Sequence, residues 1–406
     1  MLNAELLDWL NLVVRWAHVI TAIAWIGASF YFIWLDLSLE QPSDEKLQKG
    51  FAGELWSIHG GGIYEVAKYQ PGAHPDPMPT TLHWFKWEAY STWLTGSALL
   101  VLLYYLRADT YLVGVDKLIS SPQLAIAASI GYLVTGLALY ELIMRTTIGG
   151  TVLRQAIALV ALIIVASALA FELFAPRAAM LHVGAMIATL MAANVFFGII
   201  PSQKAMIRAI DAGQSPDPQL ALFAKHRSTH NNYLTLPVLF CMLSNHSAFV
   251  FNHPYAWLLV PVISAVAAYA RHYFNLKHRG QKKPQVLIVA AIAFLAIALV
   301  ASQTNTRSTA TNIDAQQISR ADIQSILDKH CSNCHAPVPE FPGYASPPGG
   351  LVFTSPEHLL AEADRVSASL ASNYMPLANM TKITQAERDL LIGWAASSTT
   401  VGKPEP

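Results

Sequence analysis

The sequence predicts an all-α membrane protein: a bundle of eight transmembrane helices followed by a small, separate helical domain. Three observations carry that expectation. Hydrophobic residues fill 53% of the 406 positions and charged residues only 13%, with a positive mean hydropathy, whereas an ordinary soluble domain carries about 25% charge. Eight apolar runs are each long enough to cross a hydrocarbon core of roughly 30 Å, which needs about 20 helical residues. After the last run the hydropathy collapses, and a polar segment with its own helical pattern follows. The formal net charge is zero and no basic stripe is massed on one stretch, which argues against a nucleic-acid partner.

The runs lie near 12–35, 82–106, 123–144, 150–174, 178–201, 233–251, 255–274 and 286–302. No basic start or small-residue cleavage site accompanies the first, so it reads as a retained helix and not as a signal peptide. Cys241 stands alone in the sixth run and reads as a small buried hydrophobe. The odd-numbered loops carry Lys46, Lys49, Lys68, Arg145, Lys204, Arg208, Lys225, Arg227, Lys277, Arg279, Lys282 and Lys283; the even-numbered ones carry only Arg107, Lys117 and Arg177. Lys and Arg are retained on the cytoplasmic side. The asymmetry therefore places both termini on the periplasmic side of a bacterial inner membrane, in a multi-pass topology. The long loop 36–80, large enough to be a lid, contains His59-Gly-Gly-Gly62, whose glycines suit a tight hairpin turn better than an oxyanion hole.

This pattern divides the chain into a transmembrane domain over 1–302, a polar linker over 303–320 and a soluble domain over 321–406. In the soluble domain, helices are expected near 321–335 and 355–372, with Ser355 as N-cap and Pro356 at the first helical position. Thr384 and Glu387 form a capping box for a last helix running through Trp394. Within this domain Cys331-Ser-Asn-Cys334-His335 is a C-x-x-C-H, the attachment signature of haem c. Two thiols at that spacing bond the two vinyl groups, and the adjacent histidine is carried under the iron. A zinc half-site or a disulfide is the alternative, but no second Cys/His pair lies nearby to complete a zinc shell. Met375, followed by Pro376, is the expected distal ligand, with Met380 as its rival. The soluble domain thus reads as a minimal all-α cytochrome c domain with His335 and Met375 on the metal.

A faint internal duplication runs through the bundle. His18-Val-Ile-Thr-Ala-Ile-Ala in the first run answers His182-Val-Gly-Ala-Met-Ile-Ala in the fifth, and His83, Trp87, Tyr90 answers His226, His230, Tyr233 at the same spacing. A 4+4 repeat would follow. Ionisable groups inside a bilayer mark ligands, relays or cavities by default. His18 and His182 are therefore candidates to hold a haem b between two helices; the alternative is two histidines bonded to neighbouring backbone. A second cluster gathers at the inner ends: His83, Lys86, Trp87, Glu88 and Tyr90 in LHWFKWEAY, with His226, Arg227, Thr229, His230, Asn231, Asn232 and Tyr233 in KHRSTHNNY. Such a concentration of donors, acceptors and aromatics suits a flat polar heterocycle, and it equally suits an interfacial belt.

Taken together, RWAHVITAIAWIGASFYF and HWFKWEAYSTWLTG at the start, with CSNCH and MPLANMTKITQAERDLLIGWA at the end, resemble the membrane-bound, cytochrome-fused urate hydroxylase family of bacterial purine catabolism. The resemblance covers essentially the whole chain. It implies oxidation of urate to 5-hydroxyisourate with water as oxygen source, electrons leaving through the fused cytochrome to a downstream cytochrome c or terminal oxidase of the respiratory chain. The family's motif carries over onto Cys331, Cys334, His335 and Met375. In that setting His83, His226 and His230 are candidate general bases. Arg227 would attract the urate monoanion, Asn231 or Asn232 would read its edges, and Lys86 and Glu88 complete the candidate catalytic set. Competing expectations are a quinol-oxidising electron-transfer protein with a cytochrome c module, and a transporter or haem sensor without catalysis.

Overall fold

The structure, a computed structural model, describes residues 4–114, 117–146, 151–305, 319–341, 344, 346–371 and 374–399. Among them eight long helices occupy the eight apolar runs. They are α1 (Ala4–Leu37), α2 (Trp87–Leu100, extended by a π turn Val101–Tyr105), α3 (Pro122–Arg145), α4 (Val152–Leu173), α5 (Pro176–Ala193, carried through a π turn Asn194–Ile199 into Ile200–Asp211), α6 (Pro218–Ser244), α7 (Ala256–His278) and α8 (Pro284–Asn305). Their starts are written in the sequence. Ser121, Thr151 and Asp217 each cap the next helix with a side-chain oxygen, and proline follows Ser121 and Asp217 at the first helical position.

Five of these helices are long and apolar enough to cross a membrane, over Leu6–Leu37, Pro122–Arg145, Val152–Leu173, Pro176–Asp211 and Pro284–Gln303. The other three, α2, α6 and α7, coincide with the remaining expected runs but carry polar residues. α6 begins at Pro218, well before the expected 233, because KHRSTHNNY continues the helix; beyond Ser244 the chain leaves it for a one-turn helix at Ala248–Phe251. Apolar side chains such as Trp16, Ile23, Val165 and Ile292 point outward and exposed, as hydrocarbon contact demands.

α5 is the centre of the bundle, packed against α3, α4, α6 and α2, with Met180, Val183, Met186, Ile187 and Leu190 all fully buried. Small residues allow that closeness. A Cβ on Gly136 would stand 2.7 Å from Met186, and one on Gly184 would stand 2.7 Å from the Cys241 Cβ. Cys241 is fully buried there, a packing residue as its apolar surroundings indicate.

The loop after α1 folds into an antiparallel hairpin, β1 (Phe51–His59) with β2 (Gly62–Tyr69), His59 opposite Gly62. Gly60 and Gly61 make its turn at φ 55° and 81°, a left-handed pair that glycine adopts without strain.

The C-terminal unit holds α9 (Arg320–His330), a one-turn helix Ser332–His335, α10 (Pro356–Ala361), α11 (Ala363–Ala371) and α12 (Gln385–Thr399) around Ile323, Leu327, Leu359, Leu370, Ile383 and Leu391. The helix expected at 321–335 breaks at Cys331, and that expected at 355–372 breaks at Glu362. The capping box forms as read: the Thr384 N–H donates to Glu387 Oε2 at 2.7 Å and the Glu387 N–H donates to Thr384 Oγ1 at 3.2 Å. Ser355 precedes α10 with Pro356 at its first position, but its side chain makes no capping bond. Of the expected linker, 306–318 lies outside the described residues. The unit rests on one end of the bundle. Tyr374 packs into the bundle core with its ring 6.4 Å from Phe251, and the Tyr111 and Tyr344 hydroxyls meet at 3.4 Å.

Candidate functional site

Chemistry-bearing residues gather in three places. The first is the C-terminal unit, where the chain leaves α9 at Cys331 and turns once, so that Cys331, Cys334 and His335 line one cavity of about 350 Å³. Leu327, Phe353, Leu359, Leu370 and Leu391 make its walls, and both Met375 and Met380 reach it. His335 Nδ1 lies 2.8 Å from the Leu351 carbonyl. As an N–H donor there, the ring keeps its Nε2 lone pair available, the arrangement by which proteins orient metal-binding histidines. Burial holds the His335 pKa below its ordinary value, against the smaller opposing pull of that carbonyl, which favours the neutral, ligating form. Burial and the neighbouring Cys334 push the Cys331 thiol up to about 12, and burial raises Cys334 as well. A paired thiol, an oriented imidazole, two thioethers and apolar walls together fit a covalently attached haem. Buried Arg388, which the sequence reading passed over, donates to the Met375 and Leu370 carbonyls and ties down the loop that carries Met375.

The second place is the polar spine of α6. Arg227 is fully buried and its guanidinium pairs with both carboxylate oxygens of Glu141, while Nη1 also donates to Asn194 Oδ1 at 3.1 Å. Gly198 makes the room, since a Cβ there would stand 2.6 Å from Arg227 Cδ. The structure thus places Arg227 in a buried ion pair with Glu141, an arrangement that competes with the role expected of it in attracting a substrate anion. Asn231 is equally committed, accepting from Asn194 Nδ2 at 2.8 Å and donating to the Met191 carbonyl at 3.0 Å. Hydrogen bonds then run outward. The Tyr140 hydroxyl meets His230 Nδ1 at 3.0 Å, and His230 Nε2 meets His226 Nε2 at 3.0 Å. Two ring nitrogens at that distance share one proton, so the chain from half-buried His226 inward can pass a proton.

The expected partners from the second run stay apart from this spine. His83 is exposed and edge-on to Phe85, and Lys86 lies over the Trp87 ring at 5.9 Å. Glu88 buries Oε2 with no hydrogen-bond partner among the described residues. No hydrogen bond among the described residues joins His83, Lys86 or Glu88 to His226, Arg227, His230 or Asn231.

Beside the spine, α7 adds to Asn232, expected from the sequence, two residues that were not: Arg271 and Asn275. Arg271 is buried over the Phe30 ring at 3.9 Å, donates from Nε to Asn232 Oδ1 at 3.3 Å, and has no carboxylate partner among the described residues. Asn275 Nδ2 donates to the same oxygen at 2.9 Å. Arg271 Nη2, Asn232 Nδ2 and Asn275 Oδ1 remain buried with no hydrogen-bond partner among the described residues. An uncompensated cation with two free donors and one free acceptor suits an anionic heterocycle that has both N–H and carbonyl edges. The available signal was Arg271 itself, a lone base in an apolar run.

The third place is the histidine pair. His18 Nδ1 sits 3.1 Å from the Thr92 carbonyl and 3.1 Å from Thr95 Oγ1, and the residue lines a cavity of about 960 Å³. His182 differs. It is fully buried, with Nδ1 2.7 Å from the Ala178 carbonyl, Nε2 2.6 Å from Ser129 Oγ, and its ring stacked 4.3 Å from Phe174. Both ring nitrogens of His182 are thus hydrogen-bonded, and His182 is not among the residues that line the cavity beside His18.

Residues 4–302 match the profile of the family described as Urate oxidase N-terminal. No curated protein and no solved structure matches the chain.

Proposed function

The chain belongs to the urate oxidase N-terminal family, and from that premise we propose that its helical bundle oxidises urate to 5-hydroxyisourate and that the electrons leave through a haem c held by the C-terminal unit. The observation that carries this reading is the seating of the Cys331–Cys334–His335 cavity on the bundle, through Tyr344 against Tyr111 and Tyr374 against Phe251. Tyr111 follows the second run and Phe251 closes the sixth. Both stand at run ends that charge counting assigns outside, which supports eight spans with both termini periplasmic in a bacterial inner membrane. It also supports the haem side of the reading, because haem c is attached outside the cytoplasm.

The overall reaction adds one water oxygen to C5 of urate and releases two protons and two electrons. Arg271, Asn232 and Asn275 hold the urate monoanion by charge and by its donor and acceptor edges. His226 and His230 take up a proton as water adds and pass it along the bonded chain toward the half-buried end at His226. Glu141 and Arg227 fix the helix that carries these histidines. Cys331, Cys334 and His335, together with Met375 or Met380 from the same cavity, would hold haem c, and the chemistry it would supply is acceptance of one electron at a time.

Turnover of urate under argon in ¹⁸O-labelled water, with an external oxidant as acceptor, tests the reading. Incorporation of the label into 5-hydroxyisourate is the expected result. Absence of urate consumption, together with ready oxidation of a quinol by the same preparation, would instead establish the quinol-oxidising alternative.

A further inference from the structure

We propose that the large cavity beside His18 is a second, non-covalent haem site, with His18 as an axial ligand and Arg15, Arg107 and Arg177 receiving the propionates. The cavity measures about 960 Å³, at the top of the range of about 300–1,000 Å³ for cofactor and ligand sites, and far more than a purine fills. Its walls between α1, α2 and α5 are mainly apolar, as the face of a macrocycle requires.

The charges fit the same occupant. Arg15, Arg107 and Arg177 all line the cavity and none pairs with a carboxylate among the described residues; Arg15 reaches Asn11 at 3.3 Å and Arg177 reaches Asn245 at 2.8 Å. Asp8 is the one acid on the wall among the described residues. Unneutralised guanidiniums at one apolar cavity call for carboxylates from a ligand, and a b-type haem carries two. A singly charged purine would leave most of that positive charge unmatched.

His18 has the geometry of a ligand. Its Nδ1–H is held by the Thr92 carbonyl, which fixes the tautomer and leaves Nε2 as the free base, as His335 does with Leu351. Gly96 lies against the ring, where a Cβ would stand 3.0 Å from His18 Cε1, so the helix can approach without displacing it. Tyr344, Pro348 and Gly349 line both this cavity and the one beside His335, so the two sites share a wall. None of these observations depends on the substrate.

Acid-acetone extraction of the purified full-length protein separates non-covalent haem from haem bound through thioethers. The expected result is one extractable haem beside one that stays with the polypeptide. His18→Gly should lose the extractable haem and keep the covalent one, and imidazole added during haem reconstitution should restore it, which a merely structural role for His18 would not permit. His182→Asn should retain both. A wild-type protein without extractable haem, or His18→Gly with undiminished extractable haem, overturns the site whether or not urate is the substrate.

Discussion

Tyr111 of the helical bundle and Tyr344 of the C-terminal unit bring their hydroxyls to 3.4 Å, and Tyr344 stands on the walls of both large cavities. With Tyr374 against Phe251, that contact joins the two parts of the chain at a residue shared by both candidate cofactor sites.

Removing it should loosen the seating without damaging either part. Tyr344→Ala is expected to slow reduction of the covalent haem by urate several-fold, with covalent haem content unchanged. Stopped-flow absorbance under anaerobic conditions measures this; an unaltered rate would mean that the contact has no part in transfer.

Two buried arginines should behave differently. Glu141→Gln leaves Arg227 poorly compensated in the bundle, a change that costs about 3–5 kcal/mol, so folded yield and Tm should fall while KM for urate in the surviving protein stays the same. The double variant Arg227→Met, Glu141→Leu should recover most of the stability.

Arg271→Gln, by contrast, should raise KM for urate about tenfold or more with little change in Tm, since a charge-assisted hydrogen bond contributes about 1.5–3 kcal/mol and 1.4 kcal/mol is tenfold. Steady-state kinetics paired with thermal melts separates the two roles. A KM effect at Glu141 and none at Arg271 would reverse the assignment.

The methionines are distinguishable in the same protein. Met375→Leu should remove the thioether from the covalent haem and lower its reduction potential, whereas Met380→Leu should leave the potential near that of the parent. Spectroelectrochemical titration reads both, and the opposite outcome would make Met380 the ligand.

Acid should weaken the C-terminal unit through Glu387. The Thr384 backbone N–H, followed by Lys329, pushes its pKa down to about 2 from an ordinary 4.5. A carboxylate depressed in the folded state contributes stability that is present above 4.5 and is lost as the pH falls toward 2. Melting followed at the covalent haem should show a drop in Tm across that window, and Glu387→Gln should flatten it.

Much of this architecture was legible in the residues. Apolar length located the five helices long and apolar enough to cross a membrane, Thr384 and Glu387 announced their capping box, the glycines at 60–62 announced a hairpin, and C-x-x-C-H announced three side chains on one cavity. Periodicity assigns a helix its buried face but not its partner. Arg227 therefore looked like a free cation until Glu141, 86 positions away, was seen against it. His182 shared a motif with His18, yet a motif does not reveal that Ser129 and Ala178 occupy both ring nitrogens. Arg271 was hidden because one base hardly alters the hydropathy of a long run, while its consequence depends on α6 supplying Asn232 and α7 supplying Asn275.

Anaerobic titration of the oxidised, purified protein with urate, followed at the absorption of the covalent haem, bears most directly on urate-driven electron delivery. Progressive reduction, reaching two electrons accepted per urate consumed, is the outcome this structure predicts. A haem that dithionite reduces but urate leaves oxidised would contradict it.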